Sequence, residues 1–314
     1  MTAKAYRAIS LLFYPGKCAN IYIQVNITTA SGGYAMSVWA AILLGFIQGV
    51  AEFLPISSSG HLSVLQNLFN FQTAEEGHMF FDVLLHLATL VSVCVVYRAD
   101  LAEMIRDVLA YLRGKSHPVP GGDKQRPALR LVLMIILATL PLIVILPIHD
   151  YIEQLYYNTW FIAVTFILTG ILLYISDRLP VGKKTGKNMS AANALTVGVC
   201  QAVATIPGLS RSGTTITAGM AAGLDRSFAV KFSFLISIPA ILGANILSLF
   251  KAVKAGIDMS LLPIYLLGML VAMVTGYFSI HLVRMIAKKG RFGGFAYYCW
   301  GAGIVTIILS IILL

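Results

Sequence analysis

Six stretches of this chain, at about 79–97, 128–147, 158–175, 228–250, 261–283 and 294–314, run for close to twenty residues each with almost no charge. A helix needs roughly 20 predominantly apolar residues to cross the hydrocarbon core. Inside that core a backbone must satisfy its own polar groups, so such stretches read as helices and not as open sheet. The pattern predicts an all-α polytopic membrane protein. Only 11% of the 314 residues are charged, whereas a soluble domain carries about 25%, so a water-facing surface is excluded. The net charge of +10 then reads first as cytoplasmic loops and only second as an anionic ligand, and no nucleic-acid partner is expected. Cys18, Cys94, Cys200 and Cys299 lie far apart, three of them in apolar segments, and read as packing residues.

Two further apolar stretches are broken in the middle. LPISSSGH interrupts residues 38–69 and IPGLSRSGTT interrupts 191–224, so each predicts a re-entrant helical hairpin whose freed backbone faces protein or a water-filled cavity. The two align without a gap at an offset of 153 residues: Gly45 with Gly198, Gln48 with Gln201, Ser57 with Ser210, Ser59 with Ser212, Gly60 with Gly213. This is an internal repeat. Residues 36–182 and 188–314 then each hold one hairpin followed by three spans, and the odd number inverts the second half relative to the first. Residues 1–35 contain no span-length run and no cleavage site; they are expected to be an extension outside the fold, with Met36 as the functional start.

Charge gives the orientation, because short cytoplasmic loops are rich in Lys and Arg. Residues 98–130 hold seven, 176–190 four and 284–291 four, whereas 70–78 and 147–157 hold none and 251–260 only Lys251 and Lys254. The first hairpin is therefore expected to enter from outside and the second from the cytoplasm. Broken helices from opposite faces meet near the midplane, as in inverted-repeat transporters.

Ionisable residues inside membrane segments are candidate functional residues. Glu52 and His61 flank the first turn, Arg211 lies in the second, and Asp82 and His86 share one face of the first full span, where they read as a supporting pair. Gln48 and Glu52, also four apart, point the same way. Ser57, Ser58, Ser59 and Gly60 precede a new helix, as do Gly208, Ser210, Arg211, Ser212 and Gly213. Backbone N–H groups at helix starts bind anions, and the planar fork of Arg suits phosphate oxygens. Two anion-binding turns with one Arg, one carboxylate, one His and several hydroxyls fit phosphoryl chemistry.

The run QGVAEFLPISSSGH from Gln48 to His61, with PGLSRSG from Pro207 to Gly213 and FDVLLHL from Phe81 to Leu87, resembles the signature motifs of the bacitracin-resistance type undecaprenyl-diphosphatases. The resemblance runs from about Met36 to Leu314. It implies a multi-pass enzyme of the bacterial cytoplasmic (inner) membrane that removes the terminal phosphate of undecaprenyl diphosphate, recycling the carrier lipid of cell-wall synthesis. It also implies a divalent cation, Mg²⁺ or Ca²⁺. By the same resemblance Glu52, His61 and Arg211 are essential, Ser58 is the candidate nucleophile, and Ser57 and Ser210 are supporting hydroxyls. Gln48 stands where many members have Glu, which weakens the case for a metal held there by two carboxylates. The alternative pattern of the type-2 phosphatidic acid phosphatases needs a second His soon after Ser-Arg, and Ser212 to Ala218 contains none.

Glu52 and His61 are expected to divide the proton work, with Glu52 also the protein's candidate ligand for the cation. Ser58, His61 or water remains open as the attacking group; Ser58 is favoured because a hydroxyl at a phosphate-cradling turn is held near phosphorus. The rival activity is a secondary transporter or flippase for an isoprenyl phosphate lipid. Assembly, including a homodimer, stays open.

Overall fold

The computed structural model describes residues 27–28, 34–68, 75–114, 127–255, 259–289 and 292–313. The first hairpin is α1 (Val38–Ala51), a tight turn and α2 (Ser58–Leu68). Then come α3 (Glu75–Val96), α4 (Arg98–Leu112) and α5 (Pro127–Thr139). A 3₁₀ stretch, Leu140–Ile148, carries α5 onward into α6 (His149–Gln154), and α7 (Thr159–Ser176) follows. The second hairpin is α8 (Ala191–Val203) and α9 (Arg211–Ala221), and the chain closes with α10 (Arg226–Ala255), α11 (Leu262–Lys289) and α12 (Gly293–Leu313). Of residues 1–35 only two short strands are described, Ile27–Thr28 paired antiparallel with Tyr34–Ala35. Cys18 lies outside the described residues; Cys94, Cys200 and Cys299 are free thiols.

Among the described residues five helical stretches are long and apolar enough to cross a bilayer, and the pair Phe80–Val96 with Arg98–Leu112 brings the number to as many as six. Large apolar side chains stand outward, Val144 at 74% and Phe278 at 65% exposure, as a lipid-facing surface requires. The molecule is thus a polytopic helical membrane protein.

Two features depart from simple spans. Pro141 and Pro147 lack the N–H that an α-helix needs, and the backbone between them tightens to 3₁₀ geometry, so the expected span 128–147 becomes a longer rod, Pro127–Tyr157. The Arg-rich segment after residue 97, expected as a loop, begins with α4, bent by 80° from α3. Lys231 Nζ on α10 holds Asp100 Oδ1 of α4 at 2.5 Å and fixes that bend.

Close helix approach decides how the hairpins seat. A Cβ on Gly45 would collide with the Gly268 carbonyl of α11, and one on Gly198 with the Ala138 carbonyl of α5. Small residues at such contacts let backbones pack directly in a membrane. So α1 lies on α11 and α8 on α5, each hairpin's first arm against a helix from the other half of the chain.

Candidate active site

The first turn begins where α1 stops at Ala51 and spans Glu52 to Ile56. Ser57 then adopts φ 71°, in the left-handed region that favours glycine, a geometry costing roughly 1–3 kcal/mol. Local hydrogen bonds hold it. Its Oγ accepts from the Gly60 N–H at 3.2 Å, and its carbonyl accepts from the His61 N–H at 3.3 Å. Ser58 becomes the first residue of α2.

The second turn uses the same device: Ser210 Oγ accepts from the Gly213 N–H at 3.1 Å, so the anion-friendly start of α9 opens at Arg211. Gly208 supplies the positive φ here, at 80°. Thr165 and Thr169 of α7 anchor this turn, one donating to Pro207 O at 2.9 Å and the other accepting from the Ser210 N–H at 3.1 Å.

The two turns meet tip to tip. Ser212 Oγ donates to Leu54 O at 3.2 Å, and the Gly208 N–H donates to Ser59 Oγ at 3.4 Å. A Cβ on Gly60 would sit 3.0 Å from Gly208 Cα and 2.8 Å from the Phe166 ring, so only glycine admits this approach.

Glu52 lies at the junction, 6% exposed. Its Oε1 is paired with the Arg211 guanidinium. Its Oε2 accepts from Ser58 Oγ at 2.6 Å and from Gln48 Nε2 at 3.1 Å, and His86 Nε2 stands 3.9 Å away. One carboxylate from the first hairpin therefore holds the candidate nucleophile with one oxygen and the Arg211 cation of the second hairpin with the other. Removing one member of such a buried pair costs about 3–5 kcal/mol, because the other charge is stranded.

Asp82 and His86 do not pair through their side chains. His86 Nδ1 bonds the Asp82 main-chain oxygen at 2.8 Å, which aims Nε2 at Glu52, while the Asp82 carboxylate takes the Gln66 amide at 3.3 and 3.4 Å. His61 stands apart from Ser58: its Nδ1 faces Ser57 O at 2.6 Å and its Nε2 faces the Tyr298 hydroxyl at 2.8 Å. Asn67 of α2 holds the Tyr156 carbonyl at 2.8 Å. Tyr298, Tyr156, Gln66 and Phe166 were not legible as site residues, because a Tyr or Phe in an apolar segment has the same appearance as an interfacial or packing aromatic.

Glu52 has both oxygens engaged, yet Gln48 Oε1 is fully buried with no protein partner. A hard cation accepts such a neutral oxygen, and Mg²⁺ in particular is commonly held by one or two protein oxygens plus substrate phosphates. The residues fit that mode. They do not form a protein cage: the one grouping of three or more His, Cys, Asp or Glu side chains of ligating reach among the described residues is His149, Asp150 and Glu153, at α6.

These features define an integral membrane protein with a serine–carboxylate–guanidinium centre at the junction of two broken helices. A family model described as "Bacitracin resistance protein BacA" matches residues 41–305, and the chain belongs to that family. It is 37% identical over 281 residues to an "Undecaprenyl-diphosphatase" of Carboxydothermus hydrogenoformans, covering 88% of this chain and 98% of that protein. Proteins of the same name are 39% identical over 279 residues in Methanobrevibacter smithii (88% and 99% covered) and 41% over 267 in Treponema denticola (84% and 94%).

Proposed function

We propose that this chain hydrolyses undecaprenyl diphosphate to undecaprenyl phosphate and inorganic phosphate in the cytoplasmic membrane, regenerating the lipid carrier for cell-wall polymers and so supporting resistance to bacitracin. The observation that carries the chemistry is Ser58 Oγ at 2.6 Å from a carboxylate that also pairs with Arg211. Glu52 takes the Ser58 proton as Oγ attacks the distal phosphorus; the bond to the bridging oxygen breaks and undecaprenyl phosphate leaves. Arg211 and the N–H groups at the starts of α2 and α9 bear the charge spread over the phosphoryl oxygens. Water then hydrolyses the phosphoserine, and Glu52 returns the proton to Ser58. His61 serves the leaving oxygen and the water. Gln48 Oε1 and Glu52 would hold the Mg²⁺ or Ca²⁺ that arrives with the diphosphate, and the ion would neutralise charge on its oxygens.

Purified protein in detergent, without any gradient, is expected to release phosphate from undecaprenyl diphosphate. Lipid movement that needs a gradient and releases no phosphate would replace this reading with a flippase.

The architecture we infer is two inverted repeats, 36–182 and 188–314, each a re-entrant hairpin plus three spans. Support comes from matched positions: Gly45 and Gly198 make the same close approach, Ser57 and Ser210 the same cap, and Gln48 and Gln201 are both buried with an unpartnered Oε1. Inversion places 98–130, 178–187 and 284–291 in the cytoplasm and 72–78 and Leu314 outside. Single cysteines introduced into a version freed of native cysteines test it in intact cells. An impermeant reagent should label 72–78; labelling of the Arg-rich loops with 72–78 protected would refute the orientation.

A further inference from the structure

We propose that Tyr298 is the relay through which His61 gives and takes protons. The inference rests on the reading that His61 handles protons in the hydrolysis. Two contacts fix how it does so. A carbonyl oxygen only accepts, so the Nδ1 that faces Ser57 O at 2.6 Å keeps its proton in both charge states of the ring. The nitrogen that changes state is Nε2, and it faces the Tyr298 hydroxyl at 2.8 Å. A hydroxyl both donates and accepts: it donates to a neutral Nε2 and, with its own hydrogen turned outward, accepts from a protonated one.

The ring cannot swing to meet phosphate directly. Phe166 of α7 stands edge-on to it with centroids 4.9 Å apart, and the Tyr298 ring lies nearly parallel to it, 17° and 5.7 Å away. Turning Nε2 toward Ser58 would break both ring contacts and both hydrogen bonds. His61 is half-buried and Tyr298 is 48% exposed, so of the two groups the Tyr298 hydroxyl is the one we assign to meet the substrate.

The proton path balances over the two half-reactions. As the bridging P–O bond breaks, Tyr298 gives its hydroxyl proton to the leaving phosphate oxygen and takes the Nε2 proton of His61. When water attacks the phosphoserine, its proton passes to Tyr298 as Tyr298 returns one to Nε2, and the Ser58 Oγ–P bond breaks with Ser58 reprotonated from Glu52. The enzyme ends as it began.

Tyr298→Phe keeps the ring stacked on His61 and removes only the hydroxyl. In purified full-length protein acting on undecaprenyl diphosphate, kcat should fall by about 10- to 100-fold with KM changed by no more than about twofold. His61→Gln should also slow turnover, and adding Tyr298→Phe to it should cost nothing further, the signature of two groups on one path. The inference is overturned if Tyr298→Phe keeps the parental kcat, if the loss sits in KM, or if the two losses multiply. Full turnover by His61→Gln alone would instead remove the role of His61 on which the relay depends, which distinguishes that failure from the others.

Discussion

Ser58→Ala is expected to abolish phosphate release, lowering kcat by on the order of 10⁴ or more, as losses of a covalent nucleophile do. Substrate binding should survive, because the backbone N–H groups at the helix starts and Arg211 remain. Ser58 Oγ lies 2.6 Å from Glu52 Oε2, so its proton already has a destination, whereas His61 has both ring nitrogens engaged elsewhere. Rapid quenching with substrate present, followed by mass spectrometry, should find phosphate on Ser58. Sampling at acid and at alkaline pH is needed, because phosphohistidine is lost in acid. Phosphate on His61, or appreciable turnover by the alanine variant, would move the nucleophile away from Ser58.

Arg211→Lys is expected to cost about 2–4 kcal/mol of transition-state stabilisation, on the order of 10² to 10³ in rate, although the charge is kept. The guanidinium spends one arm on Glu52 Oε1, and in the proposed mechanism the rest of its fork takes the phosphoryl oxygens. An ammonium is a point charge on a flexible stem and cannot do both in one plane. The loss should therefore fall on kcat more than on KM. Near-normal turnover in the lysine variant would mean that Arg211 acts only through its charge.

The spans were legible because length and apolarity suffice for them, and the two turns because Pro, Gly and Ser break an apolar run where a membrane tolerates no idle break. Pairing between the hairpins was less legible. Sequence places Glu52 and Arg211 159 residues apart, and only the tip-to-tip contact joins them. Asp82 and His86 share a helical face as their spacing requires, but that spacing also lets the His86 ring bond the main chain at Asp82, and the imidazole turns to Glu52 instead of the carboxylate. The helix α4 was hidden because its charges read as a loop; its apolar residues, such as Ile105 and Leu112, are too few for a span. Tyr298 was illegible for a different reason: its contact with the site is to a partner 237 positions earlier, and nothing in its own neighbourhood marks it.

Ser58 and Arg211 occupy the same step of the 153-residue offset. Two identical turns would bring either two serines or two arginines to this step, losing either the Arg211 guanidinium or the Ser58 hydroxyl that share Glu52. The chemistry proposed for the junction therefore depends on the two turns differing at this one step. A symmetric version, with Ser58 and Arg211 made alike, is expected to release no phosphate.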